Sequence, residues 1–124
     1  MNDSGIDIQI KTQYLQHQSE PSRPAFAFAY TITITNHRKQ PVKLLSRHWI
    51  ITDQNGKVEE VRGNGVVGQQ PLIAPGASYQ YSSGAVLQTE SGDMHGTYTM
   101  QDSDGELFEA PIPLFVLAVP HMLH

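Results

Sequence analysis

The chain has 124 residues, no cysteine and a formal net charge of −4, from eight Lys and Arg against twelve Asp and Glu. A compact domain usually has about 100–150 residues, so we expect a single domain over residues 1–124. The missing cysteines exclude disulfide scaffolds and thiolate metal sites and favour a cytoplasmic location. Without a basic face, a signal-like N-terminus or a long apolar run, the sequence argues against nucleic-acid and membrane partners.

The first two predicted strands show an alternation of apolar and polar residues with a period of two. Ile6, Ile8 and Ile10 alternate with polar residues up to position 14, and residues 26–34 repeat the pattern with Ala and Thr between larger apolar side chains. A period of two places one set of side chains on one face of a strand. These two segments are therefore predicted to be long, half-buried strands.

A third strand is predicted over residues 42–53, where the apolar alternation changes parity. A bulge near Leu45 and Ser46 would return Trp49 and Ile51 to the inner face. Residues 53–56, Asp-Gln-Asn-Gly, are typical of a hairpin turn into a short partner strand at residues 58–61. Further strands are predicted around residues 78–82 and 96–100.

The last predicted strand covers residues 107–119 and contains Pro111 and Pro113, which indicates a sheet edge. Both of its faces are apolar. One face carries Ala110, Ile112, Leu114, Val116 and Ala118, and the other carries Phe115, Leu117 and Val119. Two interpretations of the second set stay open: a strand end covered by a loop, or an outer apolar interface for a partner, including a homodimer through this C-terminal strand.

Seven or eight short strands with regular turns and no helical period indicate an all-β, antiparallel, immunoglobulin-like sandwich, with a small barrel as the alternative. Trp49 takes the place of the tryptophan in the third immunoglobulin strand. Tyr98 and Met100 follow the spacing of the tyrosine and the second core cysteine. Methionine at that place predicts a core without a disulfide.

A glycine-rich segment with G-x-G-x-x-G spacing is the main candidate site. The pattern suits a phosphate only where a helix begins, and the prolines at positions 71 and 75 prevent a helix here. Two interpretations remain: a crossover loop that tucks Val66 and Val67 into the rim of the sandwich, or a backbone nest for an anion or a partner carboxylate. The candidate residues are Arg62, Gly63, Asn64, Gly65, Val66, Val67 and Gly68.

Metal, cofactor and catalytic sites are not predicted. The six histidines are dispersed, apart from His121 and His124, and alternation places His48 and His95 on outward strand faces. The Asp-rich turns at residues 53–56 and 102–105 lack the glutamate that completes a calcium loop. No motif for a nucleophile is present.

Five blocks of sequence together resemble the bacterial ApaG family: residues 44–53, 61–76, 79–84, 92–100 and 118–120. The resemblance implies a fibronectin type III-like β-sandwich and a link to cobalt and magnesium efflux or resistance. In larger eukaryotic proteins a similar domain serves protein interaction. The family offers no catalytic residue to carry over to this sequence.

The sequence therefore predicts a non-catalytic module that binds an unidentified protein partner through the loop at residues 63–76 and the last strand. One alternative is a protein that binds phosphate or nucleotide polyphosphates at Arg62 to Gly68. A second alternative is direct binding of a divalent metal.

Overall fold

The structure, a computed structural model, describes residues 4–20 and 22–120. Within these residues it contains eight strands and one short 3-10 helix, at Gln16–Gln18. In chain order the strands are β1 (Ile6–Tyr14), β2 (Phe26–Asn36), β3 (Val42–Asp53), β4 (Val58–Asn64), β5 (Leu72–Ile73), β6 (Ser78–Leu87), β7 (Ser91–Gln101) and β8 (Leu107–Ala118). None of the described residues forms a helix long and apolar enough to cross a membrane.

The strands form two antiparallel sheets that pack face to face. The first sheet has the order β1-β2-β6, and the second has the order β4-β3-β7-β8 with β5 beside the start of β3. Alternate side chains from both sheets fill the space between them, among them Ile32, Ile34, Trp49 and Met100. The predicted immunoglobulin/fibronectin type III-like sandwich is confirmed.

The bulge predicted in β3 is also present. The register between β3 and β7 shifts between Leu44 and Ser46. An extra residue at this point reverses the facing of every later side chain in the strand. As a result Leu44, before the bulge, and Trp49, after it, are both buried.

A second bulge, which the sequence pattern did not indicate, occurs where β8 pairs with β7. Met94 lies opposite Phe115, and Gly96 lies opposite Ile112, so two residues of β8 face one residue of β7. The inward row of β8 therefore changes parity after Ile112. The strand lies at the edge of its sheet, as its two prolines predicted.

This bulge overturns the predicted outer apolar interface at Phe115, Leu117 and Val119. Leu117 and Val119 are buried, and Phe115 packs against the core. The outward positions beyond the bulge are instead Leu114 and Val116, whose residues are 59% and 55% exposed. The prediction was wrong because the facing of β8 side chains depends on how many residues of β8 lie opposite each residue of β7. The sequence of β8 alone does not contain that number.

Candidate functional site

The outer face of the five-stranded sheet carries a polar cleft of about 370 Å³, which we call the outer-sheet cleft. Strand pairing builds it in two rows. Arg62, His48 and Thr97 lie side by side on β4, β3 and β7, and Asn64, Ser46, Thr99 and Glu109 form the next row. Arg47 and Gly63 complete the lining. The cleft therefore combines two arginines, a histidine, hydroxyl groups and a carboxylate from four strands.

A chain of polar contacts crosses one edge of the outer-sheet cleft. His48 Nε2 lies 2.8 Å from Glu60 Oε1, and Arg62 Nη2 lies 3.8 Å from the same oxygen. The side chains of Glu60 and Arg62 are 56% and 74% exposed. Exposed pairs of this kind add little stability, so their main effect is to orient the histidine ring at the cleft.

The glycine-rich segment forms a strand end followed by a tight hairpin. Arg62, Gly63 and Asn64 belong to β4, whereas Val66 and Gln69 exchange backbone hydrogen bonds of 2.8 and 3.0 Å around a two-residue turn. The central residues of this turn, Val67 and Gly68, have φ values of 48° and 76°. Two positive φ angles define a type I′ turn. The candidate residues therefore divide between the outer-sheet cleft and the hairpin.

The two valines of this hairpin have different environments. Val66 is buried, as the crossover-loop interpretation predicted, but Val67 is 63% exposed at the tip of the turn. The prediction that Val67 also packs into the rim was wrong. Because both central positions of a type I′ turn point away from the strands, only one of two successive valines can reach the core.

The hairpin is poorly suited to the anion nest considered from the sequence. The N–H of Gly65 donates to the carbonyl of Leu45 at 2.7 Å, and the N–H of Val66 donates to the carbonyl of Gln69 at 2.8 Å. A nest needs successive N–H groups that converge on a ligand. At these two positions the donors are already used in the fold.

Arg47 is a residue of this region that the sequence did not single out. Its Nη1 donates to the carbonyls of Asn64 and Gly65 at 3.2 and 2.9 Å. Gly63 lies directly opposite in β4, where an added Cβ would stand 2.7 Å from the same nitrogen. Because of the bulge in β3, Arg47 faces the same side of the sheet as Trp49. This facing was the one sequence signal that could have identified Arg47 as a residue of the site.

The described ionisable groups with shifted pKa values lie in the core and not in the outer-sheet cleft. Burial raises the pKa of Tyr81 and Tyr98 well above the usual value near 10. His48 and His95 lie on the outer face, as predicted, beside the buried Trp49 and Met94. Among the described residues no three His, Asp or Glu side chains are grouped to hold a metal ion. His121 and His124 lie outside those residues.

The fold and the polar, open cleft define this chain as a β-sandwich of the immunoglobulin/fibronectin type III class. The ApaG domain family matches residues 16–102, and the chain belongs to that family. Protein ApaG of Pseudomonas aeruginosa strain LESB58 is 57% identical over 119 residues, which cover 96% of this chain and 94% of the relative. The ApaG protein of Ectopseudomonas mendocina is 58% identical over the same coverage.

A solved structure supports the same fold. An X-ray structure determined as a Northeast Structural Genomics Consortium target is 52% identical, with a TM-score of 0.93. The match covers 98% of this chain and 92% of the solved chain.

Proposed function

We propose that this ApaG domain is a non-catalytic binding module that contacts a protein partner in the cytoplasm, in a process linked to cobalt and magnesium efflux. The observation that carries the proposal is Val67. A β-branched residue at φ 48° is strained, and this one is 63% exposed. Its side chain makes little contribution to the core, so the strained valine supports a role in contact with another molecule.

The contact surface proposed here joins the hairpin to the outer-sheet cleft. Leu72 follows the hairpin and is 71% exposed, and Arg62 projects from the preceding strand beside His48. Protein interfaces combine an apolar centre with a polar and charged rim, and Leu72, Arg62 and His48 offer both kinds of group on this surface.

Affinity capture with the immobilised full chain and a lysate of the source cells tests this proposal. Val67→Asn should keep the fold, since Asn-Gly is a favoured type I′ pair, and should reduce recovery of the specific partner. Leu107→Asn is the matched control, because Leu107 is also 63% exposed but belongs to β8. Equal recovery with both variants and the wild type would exclude the hairpin as the contact surface.

Calorimetric titrations distinguish the two alternatives. ATP or pyrophosphate would give heat that Arg62→Ala removes if the glycine-rich segment binds phosphate. Co²⁺ or Mg²⁺ would give saturable heat if the domain binds metal directly. We expect neither, because two N–H groups of the hairpin are used internally and the described residues hold no grouped metal ligands.

A further inference from the structure

The edge strands of the two sheets differ in how well they are protected against further pairing. Charges, prolines and bulges on an edge strand oppose the addition of another strand. β1 also contacts β8 of the opposite sheet, which closes that side of the sandwich. Three edges carry protective residues: Asp7 and Lys11 in β1, Glu59, Glu60 and Arg62 in β4, and Pro111 and Pro113 in β8.

β6 is the edge without such protection. Its ten residues, Ser78–Leu87, include no charged residue and no proline. It pairs with β2 in unbroken register, from Thr35 opposite Ser78 to Phe26 opposite Leu87. Within the described parts of the chain, β2 is the only strand that pairs with it. β6 therefore presents a continuous edge of about 33 Å, at about 3.3 Å per residue.

A cleft of about 280 Å³ lies at the end of this edge, between β6 and the β3–β4 hairpin. Its apolar lining comes from Pro24, Ile51, Val86 and Leu87. Its charged lining consists of Asp53, Lys57 and Glu59, so carboxylates outnumber the single cation. The cleft is therefore suited to a side chain with an apolar stem and a positive end.

Glu59 is the carboxylate best placed to meet such a side chain. It lies opposite Ile51 and shares the inward-facing side of the sheet, although the residue is exposed at the edge. No ion pair of Glu59 occurs among the residues the structure describes, whereas Asp53 Oδ1 already accepts the N–H groups of Asn55 and Lys57. A cationic side chain entering between the sheets would reach Glu59 at the rim.

We propose that an extended segment of a partner protein binds as an additional strand on β6, with a Lys or Arg seated in the cleft beside Glu59. The inference rests on the proposed interaction function and adds a second contact site, on the other sheet, with its partner chemistry. The outer side of β6 carries Ser78, Gln80 and Ser82, and the inner side carries Tyr79, Tyr81 and Ala85. The partner segment accordingly alternates hydroxyl-bearing with apolar residues, because cross-strand neighbours share a face.

A displayed library of random ten-residue peptides, selected on the full chain, tests the proposal. The selected peptides should alternate hydroxyl-bearing with apolar residues and carry Lys or Arg at one common position. Glu59→Lys should weaken their binding at least tenfold and remove the preference for a basic residue. Glu106→Lys, at an exposed glutamate just before β8 that lines neither cleft, is the matched control and should leave binding unchanged.

Hydrogen exchange with a bound peptide identifies the edge directly, since amides of residues 78–87 should become protected. Failure to select any peptide would overturn the proposal, and so would protection confined to other strands or equal binding by the Glu59→Lys variant. Self-association through β6 in sedimentation would assign the edge to a second copy and also overturn it. Loss of partner recovery with Val67→Asn is independent of these results, so the two proposals can fail separately.

Discussion

The hydroxyl oxygens of Tyr81 and Tyr98 lie 2.5 Å apart in the interior and connect the two sheets of the sandwich. Tyr81 belongs to β6 of the three-stranded sheet, and Tyr98 belongs to β7 of the five-stranded sheet. Both residues are buried. A hydrogen bond between buried groups matters chiefly because either hydroxyl alone would lose its partner.

Tyr98→Phe should lower the free energy of unfolding by about 1–3 kcal/mol, because the hydroxyl of Tyr81 would stay buried without its partner. Replacing both tyrosines by Phe should cost less than the sum of the two single changes. Urea unfolding of the four proteins in a double-mutant cycle measures this coupling. Strictly additive values would show that the hydrogen bond has no energetic role.

The same pair predicts how stability responds to alkaline pH. Burial raises the pKa of both tyrosines in the folded state, so the folded protein retains protons that the unfolded chain loses near pH 10. The contribution of the two protonated tyrosines to the free energy of unfolding is complete below pH 10. It declines as pH rises above 10, by about 1.4 kcal/mol per pH unit for each tyrosine.

Urea unfolding between pH 9 and pH 11 checks this dependence. The wild type should lose stability more steeply than the variant with Phe at both positions, which serves as the control for all other ionisable groups. Parallel pH profiles for the two proteins would contradict the prediction.

Two leucines of β8 test the second bulge. Leu117 is fully buried and Leu114 is 59% exposed, although both lie beyond the prolines of the same strand. Leu117→Ala should reduce the free energy of unfolding by about 2–5 kcal/mol, and Leu114→Ala should change it by less than about 0.5 kcal/mol. Similar losses from the two substitutions in thermal or urea unfolding would refute the observed facing.

Gly96 should be far less tolerant of a side chain than Gly56. An added Cβ at Gly96 would overlap the carbonyl oxygen of His48 on the neighbouring strand, whereas nothing lies within 4 Å of one at Gly56. Gly96→Ala should cost about 3 kcal/mol through displacement of the β3–β7 pairing. Gly56 has φ 81°, so Gly56→Ala should cost about 1 kcal/mol from backbone strain. Scanning calorimetry compares the melting temperatures of the Gly96→Ala and Gly56→Ala variants. Equal melting temperatures would contradict the prediction.

The sequence by itself predicted the sandwich and the seven longer strands, because the alternation that buries one face of a strand is a local property. It did not predict β5 (Leu72–Ile73), which lies in the segment interpreted as a connecting loop. Residues 42–53 were predicted as a strand with a bulge near Leu45, and β3 has those bounds and that bulge. The prolines of the last strand likewise placed it at an edge, since a missing N–H is visible without any neighbour. The motif blocks also indicated the family correctly.

Only the tertiary structure decided which side chains meet across strands. The facing of Phe115 and Leu117 depends on how many residues of β8 lie opposite His95, and the place of Arg47 depends on Gly63 in another strand. The outer-sheet cleft and the exposed edge of β6 likewise arise from strand order and register. These features are relations between segments distant in the chain, so no local pattern in either segment contains them.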